Sequence, residues 1–235
     1  MNKIASILLG AALAAGMVWA GPVAKIGDWN GAPAILVDGK PVPPIAYKSS
    51  GECGSDSRGV IFAGKPVQDY GGVPLAVMSL RLGDLGLKGC EGPWRKSGFD
   101  ARELADAVEK NMRVGDRMMY VLALNTSAYP EFTTEEHPDE VWIKEDGSVA
   151  RGNSGSVIPD QYNDGGKLDE GDKRWPWVSY ASPAWRAAVK RIVGEFFAEL
   201  RRRGLMKRVV GVHFAGYHDG QFANMAPDFS PCARE

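Results

Sequence analysis

The sequence predicts an α/β fold on a parallel sheet, and three observations carry that prediction. Residues 73–80 and 118–124 are apolar at successive positions, so both faces of each strand are expected to be buried, as in the interior of a parallel sheet. Between them, Ala101, Leu104, Ala105, Val108 and Met112 repeat with the i, i+3, i+4, i+7 spacing of an amphipathic helix. A second such helix, residues 182–203, leads into another apolar strand at 209–214. Strands alternating with helices imply parallel pairing through right-handed crossovers.

The first twenty residues stand apart. Lys3 precedes an uncharged apolar run at 4–18, and Val18-Trp19-Ala20 places small residues where a signal peptidase cuts. Residues 1–20 are therefore expected to be a signal peptide, with the mature chain beginning near Gly21. An uncleaved anchor is the alternative, but the run is shorter than the roughly 20 residues a membrane span needs. Both readings imply export, to the periplasm or outside the cell, with no membrane partner once the signal is cut. No cysteine near the cut offers a site for a lipid.

Of the 235 residues 44% are hydrophobic and 24% charged, which is globular composition rather than that of a disordered or membrane chain. Without Lys3 the chain keeps 27 basic against 29 acidic residues, giving no electrostatic case for nucleic acid.

In chain order, residues 34–37, Asp38-Gly39 and residues 40–42 spell a hairpin, since Asp-Gly supplies the positive φ angles of a tight turn. Residues 21–44 are read as a hairpin cap and 45–235 as the main domain. Pro43-Pro44 releases the chain into a first strand at 45–47, and residues 73–80 form a central one. Asp100 is placed to cap the first helix, with Glu103 positioned to return a reciprocal contact.

After the strand at 118–124 comes a long segment, 125–180, rich in Gly, Asp, Ser and Pro. Its aromatic residues Tyr129, Trp142, Tyr162, Trp175, Trp177 and Tyr180 suggest a functional loop rather than a tether. Ser182-Pro183 then starts the second helix, with a core stripe of Trp185, Ala188, Val189, Ile192, Val193, Phe196, Phe197 and Leu200. Arg201-Arg202-Arg203 suits the negative end of the helix dipole, and Gly204 stops the helix. About four barrel-type strands result, half of what a closed (β/α)8 TIM barrel requires. The fold class expected is thus α/β, a partial (β/α)8 TIM barrel preceded by a short β-hairpin.

Three cysteines, Cys53, Cys90 and Cys232, fall in the mature chain. Cys53 and Cys90 sit in Gly-rich loops and are the expected disulfide pair, three free thiols being the alternative. Without a CxxC spacing they do not suggest a zinc cluster.

Chemistry is expected after the last strand, where His213 leads into Ala215-Gly216-Tyr217-His218-Asp219-Gly220-Gln221-Phe222. His213, His218 and Asp219 could form an acid/base group, because a carboxylate that orients an imidazole tunes it near working pH. The same three side chains could ligate a metal, but their spacing lacks the same-face geometry of HExxH. A hydrogen-bonded structural loop is the plainer alternative. The acidic residues at 160–172 do not fit EF-hand spacing. No GxSxG, Walker or helix-opening GxGxxG motif occurs, so no cofactor is expected.

Several segments carry a family resemblance: residues 33–41, Tyr129-Pro130-Glu131-Phe132, His137-Pro138-Asp139-Glu140, residues 179–186 and residues 208–216. Gly220-Gln221-Phe222 and Asp228-Phe229-Ser230-Pro231 extend it. Together they resemble exported glycoside hydrolase-like proteins of the β-galactosidase-type (β/α)8-barrel group, over the N-terminal half of such a barrel. In that group two glutamates act, one after strand four and one after strand seven.

The resemblance implies an acid/base at the position of Gln221, sugar-hydroxyl contacts from Asn125 and His218, and ring stacking on Trp175 or Trp177. His213 and Tyr217 would line the same substrate site. Where the group's pattern resembles Gly-Glu-Trp, this chain has Gly220-Gln221-Phe222, and a glutamine transfers no proton at neutral pH. Asp219 is the nearest substitute, two positions away. Retaining hydrolysis needs two carboxyl groups about 5 Å apart, and no counterpart of the strand-seven glutamate is found.

The expectation is therefore a C-terminally truncated glycoside hydrolase-like protein with weak or no hydrolysis of O-glycosyl bonds. The alternatives are a non-catalytic carbohydrate-binding protein and an inert exported fragment. The expected partners are a carbohydrate ligand and, because residues 209–214 would be left as a sheet edge, a homodimer mate or a complementing C-terminal half.

Overall fold

The computed structural model describes residues 21–48, 61–62, 65–66, 73–83, 91–152, 175–215 and 228–234. The chain begins with a three-stranded antiparallel sheet, β1 (Ala24–Trp29), β2 (Ala32–Val37) and β3 (Lys40–Val42). Asp38 and Gly39 turn β2 into β3 with φ of 49° and 78°, as their sequence predicts. Asn30-Gly31 turns β1 into β2 in the same way, at 54° and 81°, so the expected hairpin is one strand larger.

The main sheet holds β4 (Ala46–Lys48), β5 (Leu75–Arg81), β6 (Met119–Asn125) and β7 (Val209–Ala215). All three ladders are parallel, and the strands lie side by side in chain order. The α/β class and parallel pairing predicted by the sequence are what the chain adopts.

Helix α1 (Ala101–Val114) connects β5 to β6, and α2 (Pro183–Arg202) lies between β6 and β7. Asp100 caps α1, accepting from the backbone nitrogens of Arg102 (2.9 Å) and Glu103 (3.4 Å). Glu103 does not return a capping contact. Its carboxylate instead takes a forked pair of 2.9 Å hydrogen bonds from Arg95, a stronger partner than a backbone N–H. Ser182 caps α2 through Trp185 N at 2.9 Å, and Gly204 ends it at φ 71°.

Both helices cover one face of the sheet. Ala76, Met78 and Leu80 of β5 and Tyr120, Leu122 and Leu124 of β6 pack into one core with Leu104, Val108 and Met112 of α1 and Ile192, Phe196 and Leu200 of α2. A bulge at the start of the β6–β7 ladder, where Tyr120 pairs with Val209 and Val121 with Gly211, keeps Val209 and Val212 on this covered side. Arg203 staples the helices together by reaching Glu199 (2.7 Å), Glu109 (3.1 Å) and Asp106.

A second, smaller core lies in the long segment after β6. Trp142, Ala150 and Trp177 form it, with Tyr180 packed against it. Its backbone is tied by the pair Arg151–Gly152 and Trp175–Pro176 and by bridges Val141 to Val178 and Ile143 to Val149. The described aromatic residues that mark this segment are thus largely internal packing, Tyr162 lying outside the described residues.

Candidate functional site

The side chains that alternate with the core-facing ones form the other face of the sheet. On β5 these are Leu75, Val77, Ser79 and Arg81, and on β6 Met119, Val121, Ala123 and Asn125. On β7 Gly211 and His213 continue the face. Register places Ser79 and His213 on either side of Ala123, and Arg81 and Ala215 on either side of Asn125. The face therefore grades from apolar at the N-terminal ends of the strands to polar at their C-terminal ends. Ser79 and His213 are exposed and Asn125 is half-buried, whereas Arg81 is 7% exposed.

Loop packing holds this polar edge. Leu82 N donates to Asn125 O at 2.9 Å and Trp94 N to Leu82 O at 2.7 Å, stitching the turn after β5 to that after β6. A Cβ on Gly83 would lie 2.1 Å from Ser127 O and one on Gly92 2.4 Å from Leu82 O, so only glycine permits these approaches.

Asn125 Oδ1 accepts from Ser127 N (3.0 Å) and Ser127 Oγ (2.7 Å), fixing the carboxamide plane and leaving its NH2 to donate. Trp185 Nε1 donates to Thr126 O at 3.1 Å, which anchors the same corner to α2.

Next to this edge, Trp94, Tyr129 and Phe132 meet edge to face at centroid distances of 5.6–5.8 Å. Tyr129 Oη donates to Glu136 at 2.7 Å. Burial and that carboxylate push the phenol pKa well above its ordinary value, so Tyr129 holds its proton and is no base at neutral pH.

His137, Glu140 and Ser182 come together without forming a hydrolytic triad. Glu140 lies between the other two, its carboxylate 3.7 Å from His137 Nδ1 and accepting from Ser182 Oγ and from Ala184 N at 3.2 Å. A nucleophile needs the imidazole, not the carboxylate, against its hydroxyl. Glu140 instead supplies negative charge at the N-terminus of α2.

Asp228 is likewise a clamp. It accepts from Ser179 Oγ (2.6 Å), Ser230 N (2.9 Å) and Ile143 N (3.4 Å), fastening residues 228–234 to the small core. Many of the segments that suggested the family resemblance thus do structural work here.

Of the predicted site residues, Asn125 and His213 stand together on the polar edge. Trp175 is half-buried in its short strand, and Trp177, 7% exposed, is packed 5.9 Å from Trp142. A ring so enclosed has no open face for a sugar, and Trp175 is the more accessible of the two. Tyr217, His218, Asp219, Gln221, Cys53 and Cys90 lie outside the described residues, as do residues 1–20. Among the described residues, no three His, Cys, Asp or Glu side chains converge as metal ligands.

Arg81 and Ser79 are the site residues that sequence reasoning passed over. The signal was present: Ser79 and Arg81 break an otherwise apolar strand at alternate positions, which puts two polar groups on one face near its C-terminal end.

No family model and no curated protein sequence matches the chain.

Proposed function

We propose that the chain is an exported, glycoside hydrolase-like carbohydrate-binding protein of partial (β/α)8-barrel type, with little or no hydrolysis of O-glycosyl bonds. One observation carries the reading: four parallel strands in consecutive order present Ser79, Arg81, Asn125 and His213 on one face at their C-terminal ends. Consecutive order is how a (β/α) barrel is wound, and the C-terminal ends of its strands are where such barrels bind ligands. The hydroxyl, guanidinium, carboxamide and imidazole groups of these four residues are donors and acceptors of the kind that pair with sugar hydroxyls.

Weak hydrolysis follows from Gln221, whose amide replaces the carboxyl group of the resemblance. Loss of a general acid costs about 10²- to 10⁴-fold in rate. The non-catalytic reading is favoured for that reason. Export rests on Lys3, the apolar run and Val18-Trp19-Ala20.

The test is a panel of β-galactosides, β-glucosides and β-mannosides against the purified mature chain, followed both by calorimetric titration and by aryl-glycoside release. Saturable binding without release is expected. Release abolished by Asp219→Asn would make the protein an enzyme and Asp219 its acid.

A further inference from the structure

We infer that the three-stranded sheet at the head of the chain docks on a second copy of itself, the outer edge of β1 pairing antiparallel with the partner's β1 about a two-fold axis through Ile26. Among the described residues β1 pairs only with β2, which makes its far side a sheet edge. Of the five large apolar side chains that are exposed among the described residues, Val23 (61%), Ile26 (73%) and Trp29 (45%) all belong to residues 23–29 of this edge. Exposed apolar side chains strung along an edge strand are the pattern that strand addition uses.

The backbone decides which residues can pair. Asp38 N donates to Val23 O at 2.9 Å, and the two-residue turn Asn30-Gly31 closes on the pair Trp29 and Ala32. Alternate residues of an antiparallel ladder bond to the neighbouring strand, so Val23, Lys25, Gly27 and Trp29 turn their N–H and C=O groups toward β2 and the turn after it. Ala24, Ile26 and Asp28 therefore turn theirs outward. A two-fold contact must set outward groups against outward groups. With Ile26 opposite the partner's Ile26, Ala24 meets the partner's Asp28 and Asp28 the partner's Ala24. Each such pair exchanges two hydrogen bonds, about six in all.

The side chains select the same register. Directly opposed side chains share a face of the sheet, so the axis passes through a residue and not between two. Through Ile26, it sets Val23 opposite the partner's Trp29 and Ile26 opposite the partner's Ile26, which covers all three exposed apolar side chains. Ile26 is level with Ile35 and Ile35 with Val42, so the junction joins two apolar rows into one across both sheets. Lys25 falls opposite the partner's Gly27, where no side chain opposes it, and the Asp28 carboxylate is taken up by Gly31 N at 3.1 Å. An axis through Lys25 would oppose two ammonium groups, and one through Gly27 would set Ile26 against Asp28 and Trp29 against Lys25. A strand of six residues is only about 20 Å long, so the contact stays below the roughly 1,000 Å² of a stable interface and the dimer is weak and reversible.

The experiment is sedimentation velocity of the purified mature chain from micromolar to millimolar concentration, with amide exchange followed by NMR at the two ends of that range. A monomer–dimer equilibrium is expected. The N–H groups of Ala24, Ile26 and Asp28 should exchange freely in dilute protein and become protected in concentrated protein, while those of Lys25, Gly27 and Trp29 are protected in both. Ile26→Lys opposes two ammonium groups at the axis and should weaken the dimer roughly tenfold or more. Ile26→Pro removes only an outward N–H, which an edge strand tolerates, and should abolish dimerisation with the circular dichroism unchanged. Ile26→Thr keeps the branching and loses the apolar contact, and should weaken the dimer should the proline variant not fold.

A chain that stays monomeric to millimolar concentration would overturn the inference. So would a dimer unmoved by Ile26→Lys, or one in which the Ala24, Ile26 and Asp28 amides still exchange freely. None of these outcomes bears on sugar binding, which rests on a different sheet.

Discussion

Arg208 offers the sharpest test of how the β6–β7 junction is held. Its guanidinium donates to Met112 O (2.7 Å), to Met118 O (2.7 and 2.9 Å) and to Gly115 O, and its Cζ lies 5.2 Å from the centroid of the Tyr120 ring. One side chain thus ties the C-terminal end of α1, at Met112 O and Gly115 O, to Met118 O just before β6, sharing Gly115 O with Met118 N and Tyr120 Oη. Arg208→Met keeps the aliphatic stem and removes every donor. Taking about 1 kcal/mol for each of three carbonyls, below the roughly 1.5–3 kcal/mol usual for charged donors because water and the other donors to Gly115 O partly replace them, and about 0.5–1 kcal/mol for the cation over the ring, the loss is about 3.5–4 kcal/mol.

For a chain of this size that corresponds to roughly 7–16 °C in Tm. Urea unfolding followed by circular dichroism, with the m-value unchanged, is the assay. Arg208→Lys should recover about half or less, because an ammonium cannot reproduce a planar fork over three carbonyls. A loss below about 1 kcal/mol for Arg208→Met, or full recovery by lysine, would refute the reasoning.

Other outcomes follow from the same structure. Gly92→Ala should destabilise by about 2 kcal/mol or more, since its Cβ meets backbone atoms of Leu82 and Gly83 at 2.4–2.7 Å; an unchanged melt would show that the loop yields freely. Ser182→Ala removes the cap of α2 together with its contact to Glu140 and should cost about 1–2 kcal/mol, read by the same denaturant titration. Hydrogen bonds from Arg202 and Arg203 lower the Glu199 carboxyl pKa to about 2. A depressed folded-state pKa stabilises above the unfolded value of about 4.3, and that contribution fades as pH falls from there toward 2. Acid titration of stability should therefore be shallower over that window in Glu199→Gln, and identical acid limbs would contradict the linkage.

The elements with a strong local signal were legible in the sequence. Asp100 and Ser182 cap the helices, Gly204 ends the second, and the apolar runs become β5, β6 and β7, because capping and periodicity depend on neighbours in the chain. Asn30-Gly31 carried the same signal as Asp38-Gly39, and the strand before it was passed over because residues 24–29 do not alternate cleanly between apolar and polar.

The site was harder to read. Arg81 and Asn125 become neighbours only through strand register, which no spacing along the chain encodes. Glu103 finds Arg95 and Glu140 finds Ser182 across loops, so a capping motif alone misassigned the first, and no spacing along the chain marks the structural role of the second. Trp177 shows the same limit: the resemblance offered it as a stacking ring, and packing against Trp142 encloses it.

The central claim is that the C-terminal ends of the parallel strands form a sugar-binding edge, and Asn125→Asp tests it most directly. The aspartate retains an oxygen to accept from Ser127 N and Oγ, so the turn is kept, while the amide donors that the proposal assigns to the ligand are lost. Calorimetric titration of the best-binding glycoside from the panel into wild type and into this variant is the measurement. Loss of about one net hydrogen bond, roughly tenfold in affinity, with Tm unchanged is the result predicted; equal affinity in the two proteins, or binding lost instead on substituting the enclosed Trp177 alone, would contradict it.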